Sequence, residues 1–170
     1  MAFRKGDTVV HPEHGAAIID EVSVRDFQGV KRKYLKLRVV HGDLTVNVPV
    51  ESADEVGLRD VVSKNEVKKV LKVLKEDESS MASNWSRRFK NNIEKLRSGD
   101  IYQVAEVVRN LSIRDREKGL SAGEKRMVVK ARQILVSELM FANECSEEKA
   151  TETIDKVLDD SHAARVPADV

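Results

Sequence analysis

Between Asp7 and Val50, apolar and β-branched residues recur in the short runs TVVHP, GAAIIDEVSVRDF, KYLKLRVV and LTVNVPV, separated by the turn-forming stretches PEHG, QGVK and HGD. The pattern predicts four strands in meander order. Strands so short close into a small curled sheet or partial barrel, whose edges keep backbone groups free for another chain. After VGLRDVV the period turns helical. Ser63 and Glu66 have the spacing of a capping box, and Val67, Val70, Leu71 and Leu74 follow on one face of a helix that should end near EDESS. Trp85, Phe89, Ile93 and Leu96 form a second stripe closed by Gly99, and Ile101, Val104, Ala105, Val108 and Leu111 form a third. A second capping box, Ser121 with Glu124, opens a long helix lined by Met127, Val128, Ala131, Ile134, Leu135, Leu139 and Ala142. Ser146 caps a last helix carrying Ala150, Ile154, Val157 and Leu158, and SHAARVPADV, without periodicity, is expected to be disordered. The predicted class is α+β. A small β domain spans residues 1–53, a connector 54–63, a helical bundle of about five helices 64–160, and a tail 161–170.

Composition narrows the classes without changing this layout. The 170 residues are 41% hydrophobic and 35% charged, an ordinary globular mixture, but only four Phe, two Tyr and one Trp are present, so aliphatic side chains must fill the core. The single cysteine, Cys145, excludes an internal disulfide and sits in FANECSEE among acidic residues, no setting for an activated nucleophile. No apolar run has the length of a signal peptide or a membrane span, which places the protein in the cytoplasm. Catalysis has no candidate: there is no Gly-rich phosphate loop, no GxSxG elbow and no carboxylate pair at a working spacing. HPEHG sets His11 and His14 three apart, within reach of one metal ion, but no further ligand accompanies them and a turn between strands accounts for both. No cofactor is implied.

Charge changes the picture once it is divided along the chain. The overall +1 hides a basic block over residues 81–133, 13 Lys and Arg against 6 Asp and Glu, followed by an acidic block over 134–170, 3 against 9. The basic block opens with SNWSRRFKNN, so the only tryptophan coincides with the onset of positive charge. Two readings of Trp85 stand at this point. It shares the stripe of Phe89, Ile93 and Leu96, where tryptophan is usually core. It also lies in a first helical turn, beside a capping Ser83 or Asn84, where a ring can project beyond the bundle with Arg87, Arg88 and Lys90 around it. An indole among cations at a helix tip suits nucleic acid, with the cations on phosphates and the ring against an exposed base, and such a pairing reads structure rather than sequence.

The blocks FRKGDTVVHPEHGAA, GDLTVNVPVE, VGLRDVV, NWSRRFKNNIEKLRSGD, VAEVVRNL and GLSAGEKRM resemble the CarD/CdnL family of bacterial transcription regulators in its actinobacterial form, over about Phe3 to Asp160. The resemblance implies a Tudor-like N-terminal domain that docks on the β-subunit lobe of RNA polymerase. It also implies a helical domain that touches promoter DNA at the upstream edge of the transcription bubble without reading sequence, and stabilises the open complex without catalysis. On the same basis Arg25, Thr45 and Asn47 match polymerase-facing positions. Asn47 departs from the family pattern, in which a basic residue is common, and so removes a charge from that interface. Trp85 matches the wedging tryptophan, Arg87 and Lys90 its phosphate-contacting neighbours, and Lys125, Arg126 and Lys130 continue the basic surface. Such a protein would be associated with the nucleoid through polymerase. The absence of a heptad seam suggests a monomer. Two other readings stay open: a pure protein adaptor whose basic face is incidental, and a sequence-specific repressor reading DNA with the helix after Ser121. The repressor is disfavoured because no Asn or Gln accompanies the basic residues on that helix's first turns.

Overall fold

The structure, a computed structural model, describes residues 2–165. The four expected strands form as a meander: β1 (Thr8–His11), β2 (Gly15–Phe27), β3 (Val30–Val39) and β4 (Thr45–Pro49) pair antiparallel in sequence order. Alternation decides the two faces. Val9, Ala17, Ile19, Leu35, Leu37, Val39 and Val48 point inward and meet Ala53 and Leu58 from the following segment. A slip in register between Ile19 and Glu21 bends β2, so the long β2–β3 ribbon curls over this core.

One short helix was not announced by periodicity. Helix α1 (Ala53–Val56) is a single turn closed by Gly57, whose φ of 92° ends it in the left-handed region. From there the chain returns to β1: Val10 N donates to Arg59 O at 2.8 Å and Arg59 N to Val10 O at 3.2 Å, so the connector covers that edge of the sheet. The opposite edge, β4, has no strand beside it among the described residues.

The bundle contains five helices, α2 (Lys64–Lys75), α3 (Trp85–Arg97), α4 (Ile101–Glu117), α5 (Ala122–Ala142) and α6 (Glu147–Arg165). Ser63 and Glu66 make both bonds of the capping box. Helix α4 is central, buried on more than the predicted stripe, with Val107 and Ile113 inside as well as Val104, Val108 and Leu111. Its buried Arg109 donates to Val73 O at 3.1 Å and to Asn110 at 3.1 Å, and Asn110 holds Ser79 of the α2–α3 segment at 2.7 Å.

The expected disorder from Ser161 onward needs correction. Helix α6 continues to Arg165, because its last turn is anchored on the C-terminus of α2. Ser161 Oγ donates to Lys75 O at 3.1 Å, and the Arg165 guanidinium reaches Asp77 at 3.2 Å as well as the carbonyls of Lys75 and Glu76. Cations at an unsatisfied helix C-terminus are favourable in this way. The rest of the predicted tail lies outside the described residues.

Sheet and bundle meet along α5. Gly15 lies against it so closely that a Cβ would stand 2.6 Å from Ser137 Oγ, and Ala16 N donates to that hydroxyl at 3.0 Å. Arg59 grips Glu138 through two bonds of 2.7 Å, with its Nε on Gly99 O at 2.7 Å, while Val62 N donates to the same carboxylate at 3.0 Å.

Candidate nucleic-acid interface

Trp85 is the first residue of α3. Asn84 supplies the cap, its side chain accepting from Arg87 N at 3.1 Å. The indole is 46% exposed, the middle case between the two readings of the sequence: neither a core residue nor a free wedge. One face stacks on Phe89, with centroids 5.0 Å apart and 23° between planes, and the ring N–H donates to Ser121 Oγ at 2.9 Å. Gly123 lets the aromatic pair approach α5, for a Cβ there would stand 3.2 Å from Phe89 and 3.8 Å from Trp85. The remaining indole surface is held still and open to solvent.

Ser121 does more than cap. Its hydroxyl accepts from Glu124 N at 3.2 Å and donates to Glu124 Oε1 at 3.1 Å while receiving the indole N–H. The predicted reciprocal bond of the second capping box is not made, because the Glu124 carboxylate turns to Arg88, which it meets at 2.9 and 3.2 Å. Arg88 is buried and also donates to the carbonyls of Ala82 and Ser83, so it is unable to hold a phosphate as its neighbours were expected to. The Arg88 hydrogen bonds hold the Glu124 carboxyl below its ordinary range despite burial. This ion pair fixes the start of α3 to the start of α5 beneath the indole.

Arg87 and Lys90 are exposed on α3, and Lys125 and Arg126 on the first turns of α5, so four of the expected contacts share the end of the bundle that carries Trp85. Lys130, also exposed, follows one turn beyond Arg126 on α5. It lines a cavity of about 290 Å³ with Pro12, Glu13, Ile93, Leu96 and Met127, beside the β1–β2 turn. Its charge adds to burial in lowering the affinity of His14 for a proton; His11 is lowered mainly by burial and by His14. The two rings lie 4.6 Å apart, and His11 Nδ1 accepts from Glu13 N at 3.1 Å, a turn-forming bond. Among the described residues no group of three or more His, Cys, Asp or Glu is arranged to hold a metal ion. Cys145 is half-buried.

The sheet presents a second surface. Val39 N donates to Leu44 O at 3.0 Å, which sets the alternation of the ladder: Val46 and Val48 turn their backbone groups to β3, while Thr45 and Asn47 direct theirs off the edge. Both side chains are exposed on the outer face. Arg25 lies further along this face, its guanidinium 5.8 Å from the centroid of Tyr34, whose cross-strand partner is Pro49. Sequence reasoning missed two features here. Lys36 is directly opposite Asn47, and of the basic residues on this face Arg32 and Arg38 are paired with Glu51 and Asp20, leaving Arg25 and Lys36 without an ion-pair partner among the described residues.

A curled Tudor-like sheet locked to an all-helical unit, one offering a strand edge and the other a clamped, half-exposed indole among cations, is the architecture these facts define. Residues 3–62 match the family model described as CarD-like/TRCF RID domain, and residues 69–155 that described as CarD, C-terminal domain. A protein of Bacillus subtilis (strain 168) named "Putative transcription factor YdeB" is 34% identical over 137 residues, covering 81% of this chain and 90% of that protein. The chain belongs to the CarD family of transcription factors. No helix of the described residues is long and apolar enough to cross a membrane.

Proposed function

We propose that this protein docks on the β subunit of RNA polymerase through the β4 edge and the outer face of the sheet, and stabilises the open promoter complex by setting Trp85 against the upstream edge of the melted bubble. The observation that carries the reading is the state of Trp85: the only tryptophan, 46% exposed at a helix start and immobilised by Ser121 and Phe89 beside Arg87, Lys90, Lys125 and Arg126. A packing residue has no need of such exposure, and a flexible wedge would lose rotamer freedom on binding that this one has already given up.

Docking is supported by the outward backbone groups of Thr45 and Asn47, which suit addition of a strand from a partner. Arg25 and Lys36 supply charge to that surface, and Lys36 restores across the strand the charge that position 47 lacks. A protein that contacted closed and open complexes equally would shift nothing, so the differential contact is the stacking of Trp85 on an unpaired base. Stacking contributes about 1–3 kcal/mol per base, and about 1.4 kcal/mol is tenfold in an equilibrium, so one residue supplies a several-fold to hundredfold bias. The backbone contacts confer no sequence preference, and polymerase docking raises the local concentration of a weakly binding helical face.

The test is the lifetime of open complexes on a ribosomal-type promoter, with wild-type protein and with a folded Trp85→Ala variant. The proposal expects wild type to prolong the lifetime and the variant, still bound to polymerase, to fail. Equal prolongation by both would reduce Trp85 to packing, and no effect from either would favour a protein adaptor.

A further inference from the structure

Beside the indole lies a basic groove that the reading above does not use. It is formed by the α2–α3 segment, Glu78 to Ser83, and by Arg114 and Lys118 at the end of α4, and encloses about 660 Å³. Ser83 stands two residues before Trp85, and Lys118 three before the Ser121 that holds the indole. Arg114 Nε is buried and has no hydrogen-bond partner among the described residues. Neither Arg114 nor Lys118 makes an ion pair among the described residues, although six other arginines of the bundle, Arg88, Arg97, Arg109, Arg116, Arg132 and Arg165, do. The Ser80 and Ser83 hydroxyls likewise make no hydrogen bond among the described residues, whereas Ser79 is committed to Glu106 and Asn110. Buried polar groups are rarely left without a partner, and a guanidinium N–H lacks specifically an acceptor.

We propose that this groove holds a backbone phosphate of the nucleic acid that Trp85 engages, with Arg114 and Lys118 on its oxygens and the Ser80 and Ser83 hydroxyls as further donors. The inference rests on the reading of Trp85 as a DNA contact. Three features select a phosphodiester. The groove combines two free cations with two hydroxyl donors, which suits an acceptor with several oxygens. Its one carboxylate, Glu78, makes no ion pair with either cation among the described residues, so the two charges are not neutralised within the groove. Its rim at Ser83 is two residues from Trp85 in the chain, so a strand whose base meets Trp85 carries its phosphates toward the opening.

The test uses the full chain and a fluorescently labelled duplex containing an unpaired bubble, with affinity measured by anisotropy across a salt series. Arg114→Gln is expected to lower the magnitude of the salt slope by about one unit, Arg114→Gln with Lys118→Gln by about two, and Arg114→Lys to restore most of it. Thermal unfolding of the Gln variants should match wild type, since the groups removed have no partner in the free protein. Arg87→Gln, on the face already assigned to DNA, is the control. A reduced slope for Arg87→Gln with unchanged slopes for both groove variants would overturn the groove while leaving the proposed function standing. Failure of wild type to bind either bubble or duplex would remove both.

Discussion

The Arg59–Glu138 clamp is where a single substitution should test the coupling of sheet and bundle. Glu138 is 1% exposed and its carboxylate has three donors, two from Arg59 at 2.7 Å and Val62 N at 3.0 Å. Arg59→Met leaves a buried carboxylate with one neutral donor and frees the Gly99 carbonyl. Breaking a buried pair from one side costs about 3–5 kcal/mol. Because the Arg59 side chain is 30% exposed, water reaches the vacated site, and about 3 kcal/mol is the expected loss. Domains of this kind have about 5–15 kcal/mol in hand, so the variant should remain folded. Urea denaturation followed by circular dichroism measures the difference. Arg59→Met combined with Glu138→Met removes both charges and should be less destabilised than the single Arg59→Met, giving a coupling of about 2 kcal/mol. Additive effects of the two changes, or an Arg59→Met variant within about 0.5 kcal/mol of wild type, would refute the argument that the buried Glu138 carboxylate depends on Arg59. The functional counterpart is specific: Arg59→Met should bind polymerase and bubble DNA separately, yet prolong open complexes less than wild type, because the connector would no longer fix one surface relative to the other.

Further outcomes follow from individual contacts. Ser121→Ala should cost about 1 kcal/mol through the lost N-cap, and should shift the emission of the single tryptophan to the red with greater iodide quenching, a readout free of other indoles. Gly15→Ala should destabilise by about 2–4 kcal/mol, since φ is +78° and the new methyl would stand 2.6 Å from Ser137 Oγ; the reduced urea midpoint would show it. His11 and His14 both hold protons less readily folded than unfolded, so the unfolded chain gains protons first as pH falls below about 6.5. Stability from this source is complete above that value and declines below it, by no more than about 1.4 kcal/mol per pH unit for each ring, and His11→Gln should flatten the decline measured between pH 7 and 5. The Glu124 carboxyl, held low by Arg88, adds a loss at lower pH as it is protonated, and Glu124→Gln should reduce that second phase, leaving the part due to Glu106, which despite burial the Lys95 and Ser79 hydrogen bonds hold low.

How much of this was legible in the sequence depends on whether a feature is local. Period and caps are local, and the four strands, the Ser63 capping box and the five bundle helices follow from them. The limits of α6 are not, because its last turn is held by carbonyls of α2, far away in the chain. Arg87 and Arg88 look alike as neighbours, yet only Arg88 lies three residues after Trp85 and four before the buried Asn92, on the packed side of α3, so the same periodicity that found the stripe carried the distinction. Its partner Glu124 is 36 residues away and was read only as a cap. Ser137 and Glu138, polar residues inside ILVSELM, were the sign that α5 is covered by more than the bundle.

That last point bears on mechanism. Helix α5 carries the indole's acceptor at its N-cap, Ser121, and the sheet's contact at Ser137, sixteen positions later, about 24 Å along a single uninterrupted helix at 1.5 Å per residue. Under the proposed docking through β4, this helix would set the distance at which Trp85 is presented, with no hinge between Ser121 and Ser137 to absorb an error. A glycine pair placed mid-helix at exposed positions, Val129→Gly with Gln133→Gly, should weaken that strut by about 1 kcal/mol in total while leaving both surfaces intact. If α5 transmits position, open-complex lifetime should fall more than affinity for polymerase or for bubble DNA; equal losses in all three would mean that α5 contributes stability alone.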